Sequence, residues 1–383
     1  MSSSQDNRVI FPTESPEISG VREASHEKLA PLLITDCFEN NSRDSVSSSQ
    51  QLVTLFLDEQ QTAGYLSLTP QIKRSPGRRG TIRYAIRSLT NTLISVPNFI
   101  RVMENYRIVM FIANNALTLL TCFLPLIILA KLFGKKVSLY YRSSDMEIEF
   151  ERYGFLILPV CRLADRLLVS SSFETELFRR NEIRAEKLDL PVEIQSTDCR
   201  IITEVQPHML VVENEPGTAN LRSVIRAFSL VKRKYPRAEL SIAINSSIIS
   251  NINYSQTLDG LSGIRAIGYS SDSELRMLFD NVDIFVNAGV GAPRPELLAW
   301  AFDAGLPVIT TDRCGTAEMI VDRESGLLID VHNHNALADR VIDLIEHPEL
   351  VATLSSRGRL QAEKRSWLGV RRHWYNHFRV LAE

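Results

Sequence analysis

The chain has 383 residues, 44% hydrophobic and 23% charged, with 43 basic against 45 acidic side chains and a formal charge of −2. That length supports two domains that each bury a core, and the near-neutral balance excludes a general nucleic-acid binder. Five scattered cysteines (Cys37, Cys122, Cys161, Cys199 and Cys314) with no CxxC exclude a disulfide frame and fit reduced thiols in a cytoplasmic protein.

The N-terminus, MSSSQDNR, lacks a basic n-region followed by an apolar core, so no secretory signal is expected. Residues 1–7 read as a loose tail, Arg8–Phe11 as a first strand, and 18–21 as a loop carrying Gly20. Residues 38–51 are Ser- and Asn-rich and read as a flexible loop, and Leu52–Leu57 as a strand. A basic segment follows over 73–100. Lys73, Arg74, Arg78, Arg79, Arg83 and Arg87 alternate with Ile82, Ile86, Leu89 and Leu93, whose spacing marks one face of a helix. Two readings stay open: a core-facing helix with a solvated basic face, which is favoured, or a helix lying on an anionic membrane.

Ile108–Ala130 holds no charged residue and reaches the length of a membrane span. Asn114-Asn115 divides it, however, into a strand (Ile108–Ile112) and an apolar helix (Ala116–Phe133) ended by Gly134, with a strand at Val137–Tyr141. A βαβ unit buried on both faces is the favoured reading. Helices are expected at Arg152–Ala164 and Ser172–Arg180, the latter capped by Ser171 or Ser172, and a strand at Arg166–Val169. Leu188–Ile194 should close the first domain, and 195–206 should connect it to the second. Met209–Glu213 is read as a strand, Asn220–Lys232 as a helix and Leu240–Ile244 as a strand.

From Asp280 to Leu327 the chain reads strand, loop, helix, strand, loop, helix. The strands are Val282–Val286 and Val308–Thr311. The helices are Glu296–Ala304, opened by Pro295 and closed by Gly305, and one starting at Ala317. Two helix N-termini then meet one edge of a parallel sheet, where such sheets bind phosphates. The chain ends on a helix over 365–378 bearing Trp367, Trp374 and Phe378. No Asp-x-Asp, dinucleotide fingerprint or metal-ligand set is present. His373 and His377 read as a packed or surface pair, and no metal or cofactor is expected.

Several pieces stand in a familiar order: IGYSSDSELRMLF at 267–279, DNVDIFV from Asp280, Pro295, Leu298, AGLPVITTD, the turn at 314–318, SGLLID at 325–330 and ALADRVIDLIEHPEL at 336–350. This series resembles the C-terminal half of family 4 glycosyltransferases. The resemblance implies an α/β fold of two Rossmann-like domains facing across a cleft (GT-B). The domains would be 1–205 on the acceptor side and 206–362 for the nucleotide sugar, with 363–383 crossing back to the first. It further implies metal-independent, retaining transfer from a nucleotide-diphosphate sugar to a glycan or lipid-linked acceptor, in the cytoplasm or peripherally on the membrane. Nucleic acid is not an expected partner.

The resemblance also locates departures. The family's phosphate-binding Arg and Lys fall on Asn214 and Ala219, its two glutamates on Ala292 and Trp300, and its histidine on Arg142. The implied catalytic positions are therefore Arg142 and Glu296. The implied donor-binding positions are Asn214, Thr218, Tyr269, Arg294, Trp300, Cys314, Gly315, Thr316 and Glu318. Arg294 would replace missing positive charge, Glu296 would reach sugar hydroxyls, and the 314–316 turn would offer amides. These losses keep a second reading open, a non-catalytic subunit that binds a sugar, a nucleotide or a partner.

Overall fold

The computed structural model describes residues 31–36, 64–68, 78–143, 146–194, 201–213, 219–246, 262–289, 295–312 and 317–383. The elements expected at Arg8–Phe11, around Gly20, over 38–51 and at Leu52–Leu57 lie outside them. The chain forms two compact units. One contains the described residues up to Leu190 together with Val370–Glu383, and the other is Pro191–Gly369.

In the first unit six parallel strands stand in the order β2-β1-β3-β4-β5-β6. They are β1 (Pro31–Asp36), β2 (Gly64–Leu68), β3 (Ile108–Ala113), β4 (Lys136–Tyr141), β5 (Arg166–Val169) and β6 (Ala185–Lys187). The sequence reading missed β1, an apolar run with no alternation because it is central and covered on both sides. Helix α1 (Arg78–Met103) joins β2 to β3. Helix α2 joins β3 to β4 as an α-turn Ala116–Thr118, a π-helical stretch Leu119–Phe123 and an α-segment Leu124–Leu132. Helices α3 (Met146–Leu163) and α4 (Ser172–Arg180) follow β4 and β5. Ser171 caps α4 in a full capping box with Glu174, as the sequence suggested.

Every step from β2 to β6 advances the same way across the sheet. Right-handed crossovers therefore lay α1 to α4 on one face. Val137, Leu139 and Tyr141 of β4 join the core under this layer. Their alternates point the other way. Tyr140 stacks on Trp374, with centroids 6.1 Å apart, and Ser138 hydrogen-bonds His377 at 2.9 Å. Both partners lie on the last helix, α10 (Trp367–Ala382), whose Trp374 Nε1 also donates to the Asp189 carbonyl at 2.9 Å. Residues 108–130 are thus a sheet strand and its crossover helix. No helix among the described residues is long and apolar enough to cross a membrane.

The stripe assigned to α1 is corrected. Leu89 and Leu93 are exposed, and the side facing the core carries Ser88, Thr92, Phe99, Val102 and Met103. Ser88 Oγ meets Cys122 Sγ at 2.7 Å and Thr121 Oγ1 at 3.1 Å, and Thr92 Oγ1 donates to the Ser88 carbonyl. With their hydroxyls satisfied, these small side chains let α1 and α2 approach closely and leave the leucines outside.

The second unit is a parallel sheet in the order β12-β11-β10-β7-β8-β9. Its strands are β7 (His208–Glu213), β8 (Glu239–Asn245), β9 (Ile264–Tyr269), β10 (Ile284–Asn287), β11 (Val308–Thr311) and β12 (Leu327–Ile329). Its helices are α5 (Leu221–Lys234), α6 (Asp272–Phe279), α7 (Pro295–Asp303), α8 (His334–Glu346) and α9 (Pro348–Arg365). Gly305 takes the left-handed conformation that ends α7, with φ +75°. Residues 191–194 and 201–206 belong to this unit. The Val192 amide donates to the Arg365 carbonyl, and the Ile202 amide to Ser355 Oγ.

Candidate functional site

Strand order reverses between β7 and β10 in the second unit. The chain runs outward one way through β8 and β9, then the other way through β11 and β12. A crevice opens at the carboxyl ends of the strands beside such a reversal, and ligands bind there. The polar groups gathered on that edge come from strand ends and the turns after them. Asn287 Nδ2 donates to Thr310 Oγ1 at 2.9 Å, and Thr311 Oγ1 to the Gly289 carbonyl at 3.0 Å. Ser246 Oγ donates to the Tyr269 carbonyl at 2.9 Å, and Ser270 Oγ to Ser246 Oγ at 3.0 Å. The Ser270 amide donates to Glu274 Oε2, and Ser271 caps α6.

Two carboxylates are buried at the reversal. Glu213 ends β7 at 0% exposure, and Glu296 sits in the first turn of α7 at 2%. The positive end of α7 favours the Glu296 charge. Glu213 turns back on its own loop, and its Oε2 accepts the Ala219 amide at 2.9 Å. Just beyond, Asn220 holds a left-handed conformation at φ +52° and His332, after β12, another at φ +67°. The two side chains meet, His332 Nδ1 to Asn220 Oδ1, at 3.3 Å, and the His332 carbonyl accepts from Ser223 Oγ. Glu213, Asn220 and His332 were missed from sequence. A charge closing the apolar run HMLVVE was the available signal for Glu213.

Of the expected donor-binding residues, Tyr269 ends β9 and is buried, and Glu318 is exposed in a short 3-10 turn, Ala317–Met319. The expected helix starting at Ala317 is therefore corrected to a single turn. The segment to β12 is short, and Arg323 at φ +62° turns it back so that Asp322 bridges Gly326. Trp300 is in the core. Its ring meets Phe279 edge-on, and the Arg276 guanidinium lies 4.7 Å from its centroid. Burial holds the Arg276 pKa below its usual value. Asn214, Thr218, Arg294, Cys314, Gly315 and Thr316 lie outside the described residues.

Arg142 belongs to the first unit. It follows β4, is half-buried, and its amide donates to the Ala113 carbonyl at 2.9 Å. Beside it the Tyr141 hydroxyl donates to Glu149, and burial together with that carboxylate pushes the Tyr141 pKa up. Glu149 Oε1 also accepts the Ala116 amide at the start of α2. Among the described residues no cluster of three or more His, Cys, Asp or Glu is placed to hold a metal.

Residues 202–361 match the family model of group 1 glycosyl transferases. Over this segment, a little over two fifths of its length, the chain is similar to the group 1 glycosyl transferases. An uncharacterized glycosyltransferase, MJ1178 of Methanocaldococcus jannaschii, is 30% identical over 122 residues, covering 30% of this chain and 34% of that protein. The chain spans only about a third of the length of these curated relatives. Among solved structures, the sucrose-phosphate synthase of Thermosynechococcus elongatus superposes at a TM-score of 0.70 with 15% identity, covering 92% of this chain and 99% of that one. Anabaena HepE, solved in complex with UDP, superposes at 0.61 with 11% identity, covering 91% and 99%. The fold is the two-domain, Rossmann-like GT-B fold, and the group 1 segment contains the whole reversal-point edge from Glu213 to His332.

Proposed function

We propose that this protein transfers a sugar from a nucleotide-diphosphate donor to a glycan or lipid-linked acceptor, with no resident metal or cofactor, and with the retention that the family resemblance implies. The observation that carries this reading is the polar edge at the β7–β10 reversal inside the group 1 segment. There Glu296 is held at a helix N-terminus, from which it would reach sugar hydroxyls. In the reaction the bond between the sugar carbon and the diphosphate oxygen breaks. An acceptor oxygen takes the sugar and gives up its proton to the departing diphosphate. Tyr269 and Glu318 would orient the nucleotide, Asn214, Thr218 and Arg294 would serve the diphosphate, and the Cys314–Thr316 amides would stabilise its charge as it leaves. Arg142 would meet the acceptor or a phosphate as a fixed cation, since a guanidinium cannot act as a base. Trp300 would act through packing behind Glu296, not by touching donor.

A specific observation favours the second reading, a GT-B subunit that binds but does not transfer. The Ala219 amide, two residues ahead of the helix after β7, is already taken by the chain's own Glu213 carboxylate. Calorimetric titration of UDP, GDP and ADP, beside assays of donor hydrolysis, separates the two. Binding with turnover of the matching donor is expected for the transferase. Binding without turnover moves the assignment to the non-catalytic subunit, and neither binding nor turnover with any common donor defeats the nucleotide-sugar site.

A further inference from the structure

Helix α3 packs on the first unit through Met146, Gly154, Ile157, Val160 and Cys161. At the helical period its opposite side is centred on Ile148 and Phe155, about two turns apart. Phe155 is 74% exposed there and Ile148 49%. Exposed Leu156 and Leu163 flank them on the side of α2. That side is fixed by Glu149, which accepts the Ala116 amide, and by Asp165, just past α3, which pairs with Lys131 at 2.8 Å. The apolar surface continues onto α2 through Ile128 and Leu132, the latter 77% exposed. Single exposed apolar residues are normal on a monomer, but a run of them across two neighbouring helices marks an interaction surface.

The other flank of the stripe, toward α4, is polar. It carries Glu151 and Arg162, both exposed and about three turns apart. Arg162 Nη2 donates to the carbonyl of Asn181, just past α4, at 3.3 Å, and a guanidinium has further N–H groups for a carboxylate. The exposed charges of α3 balance, Glu147 and Glu151 against Arg152 and Arg162. A balanced face has no electrostatic preference for an anionic bilayer.

We propose that this face is the interface of a homodimer in which α3 packs antiparallel on α3 of a second copy. The pattern is self-complementary. A two-fold axis across the middle of α3 reverses the helix and sets each flank against the same flank of the partner. With the axis near Leu156 and Ile157, Glu151 of each copy comes level with Arg162 of the other. The two Phe155 rings then meet within a turn of one another at the centre, and each helix's positive end lies beside the other's negative end. A fully exposed large apolar side chain offers roughly 150–250 Å². The exposed parts of Ile128, Leu132, Phe133, Ile148, Phe155 and Leu163 therefore reach several hundred Å² per copy, the scale of the roughly 800 Å² that each partner gives to a standard interface. The face lies outside the 202–361 segment, so self-association and nucleotide binding fail separately.

The test is sedimentation equilibrium of the full chain over a range of concentrations at low salt. A monomer–dimer equilibrium is expected. Phe155→Asp should raise its dissociation constant about a hundredfold. Glu151→Arg and Arg162→Glu should each raise it about tenfold, because the two-fold sets like charges opposite one another twice. The chain carrying both exchanges should return close to the wild type, a recovery that a folding defect cannot produce. Circular dichroism and UDP affinity should stay as in the wild type throughout. A chain that is monomeric at every concentration overturns the proposal, as does a dimer indifferent to Phe155→Asp or a double exchange that recovers nothing. Co-sedimentation with phosphatidylglycerol vesicles by a chain that does not self-associate overturns it too, and gives the face to a bilayer.

Discussion

Glu213 concentrates the functional question at the scale of one residue. A fully buried carboxylate that accepts its loop's amide puts negative charge where the proposed site would need to receive a diphosphate. Glu213→Gln keeps the shape and an acceptor for the Ala219 amide but removes the charge. It avoids the roughly 1–3 kcal/mol that an orphaned buried amide would cost. The expected outcome is UDP binding at least tenfold tighter by calorimetry. Unchanged affinity, in a variant that melts like the wild type, would clear Glu213 of any part in nucleotide recognition. Residue-level reading from sequence went furthest where chemistry depends on the residue alone. The replaced charges at Asn214 and Ala219 were legible by counting, whereas the burial of Glu213 and the left-handed Asn220–His332 pair needed strands and loops that the sequence does not align.

Among the elements, the packing of α7 on α9 shows how little room the second unit leaves. A Cβ at Gly358 would come 2.6 Å from Cδ1 of Phe302, which is fully buried. Gly358→Val should cost about 1–3 kcal/mol of stability by overpacking, read as a lower urea midpoint. Phe302→Leu in the same chain should recover part of the loss by making room. If Gly358→Val unfolds like the wild type, the helices are free to part. The elements themselves were largely legible. Ser172–Arg180 carries its own cap, and Arg166–Val169 and Val308–Thr311 are short apolar runs of strand length. The failures have packing causes. Helix α1 buries hydroxyls and exposes leucines because α2 approaches closely, and the turn after Thr316 stops at Met319 because the chain must return to β12.

At the scale of the whole molecule, the last helix returns to the first unit and its His377 is sealed against Ser138. Burial brings the His377 pKa down to about 4, with Glu186 opposing and Arg166 adding to the shift. A histidine depressed in the fold stabilises it above its ordinary pKa near 6.5. That contribution, about 3 kcal/mol, is lost as the pH falls from there toward 4. The wild type should therefore lose thermal stability over that window more steeply than His377→Gln, and parallel profiles would show that His377 is not buried in solution.

The sequence by itself determined much of the alternation of strands and helices, because periodicity, caps and glycine turns are local, and the ordered resemblance to family 4 glycosyltransferases implied the GT-B fold class. Only the tertiary structure decided which side of α1 meets the core, that Trp300 packs under Arg276, that β1 is central, and that Glu213 closes on its own loop. Each of those depends on neighbours distant in the chain or on a backbone turn, and hydrophobic burial and hydrogen-bond satisfaction are settled by the neighbours present, not by the residue alone.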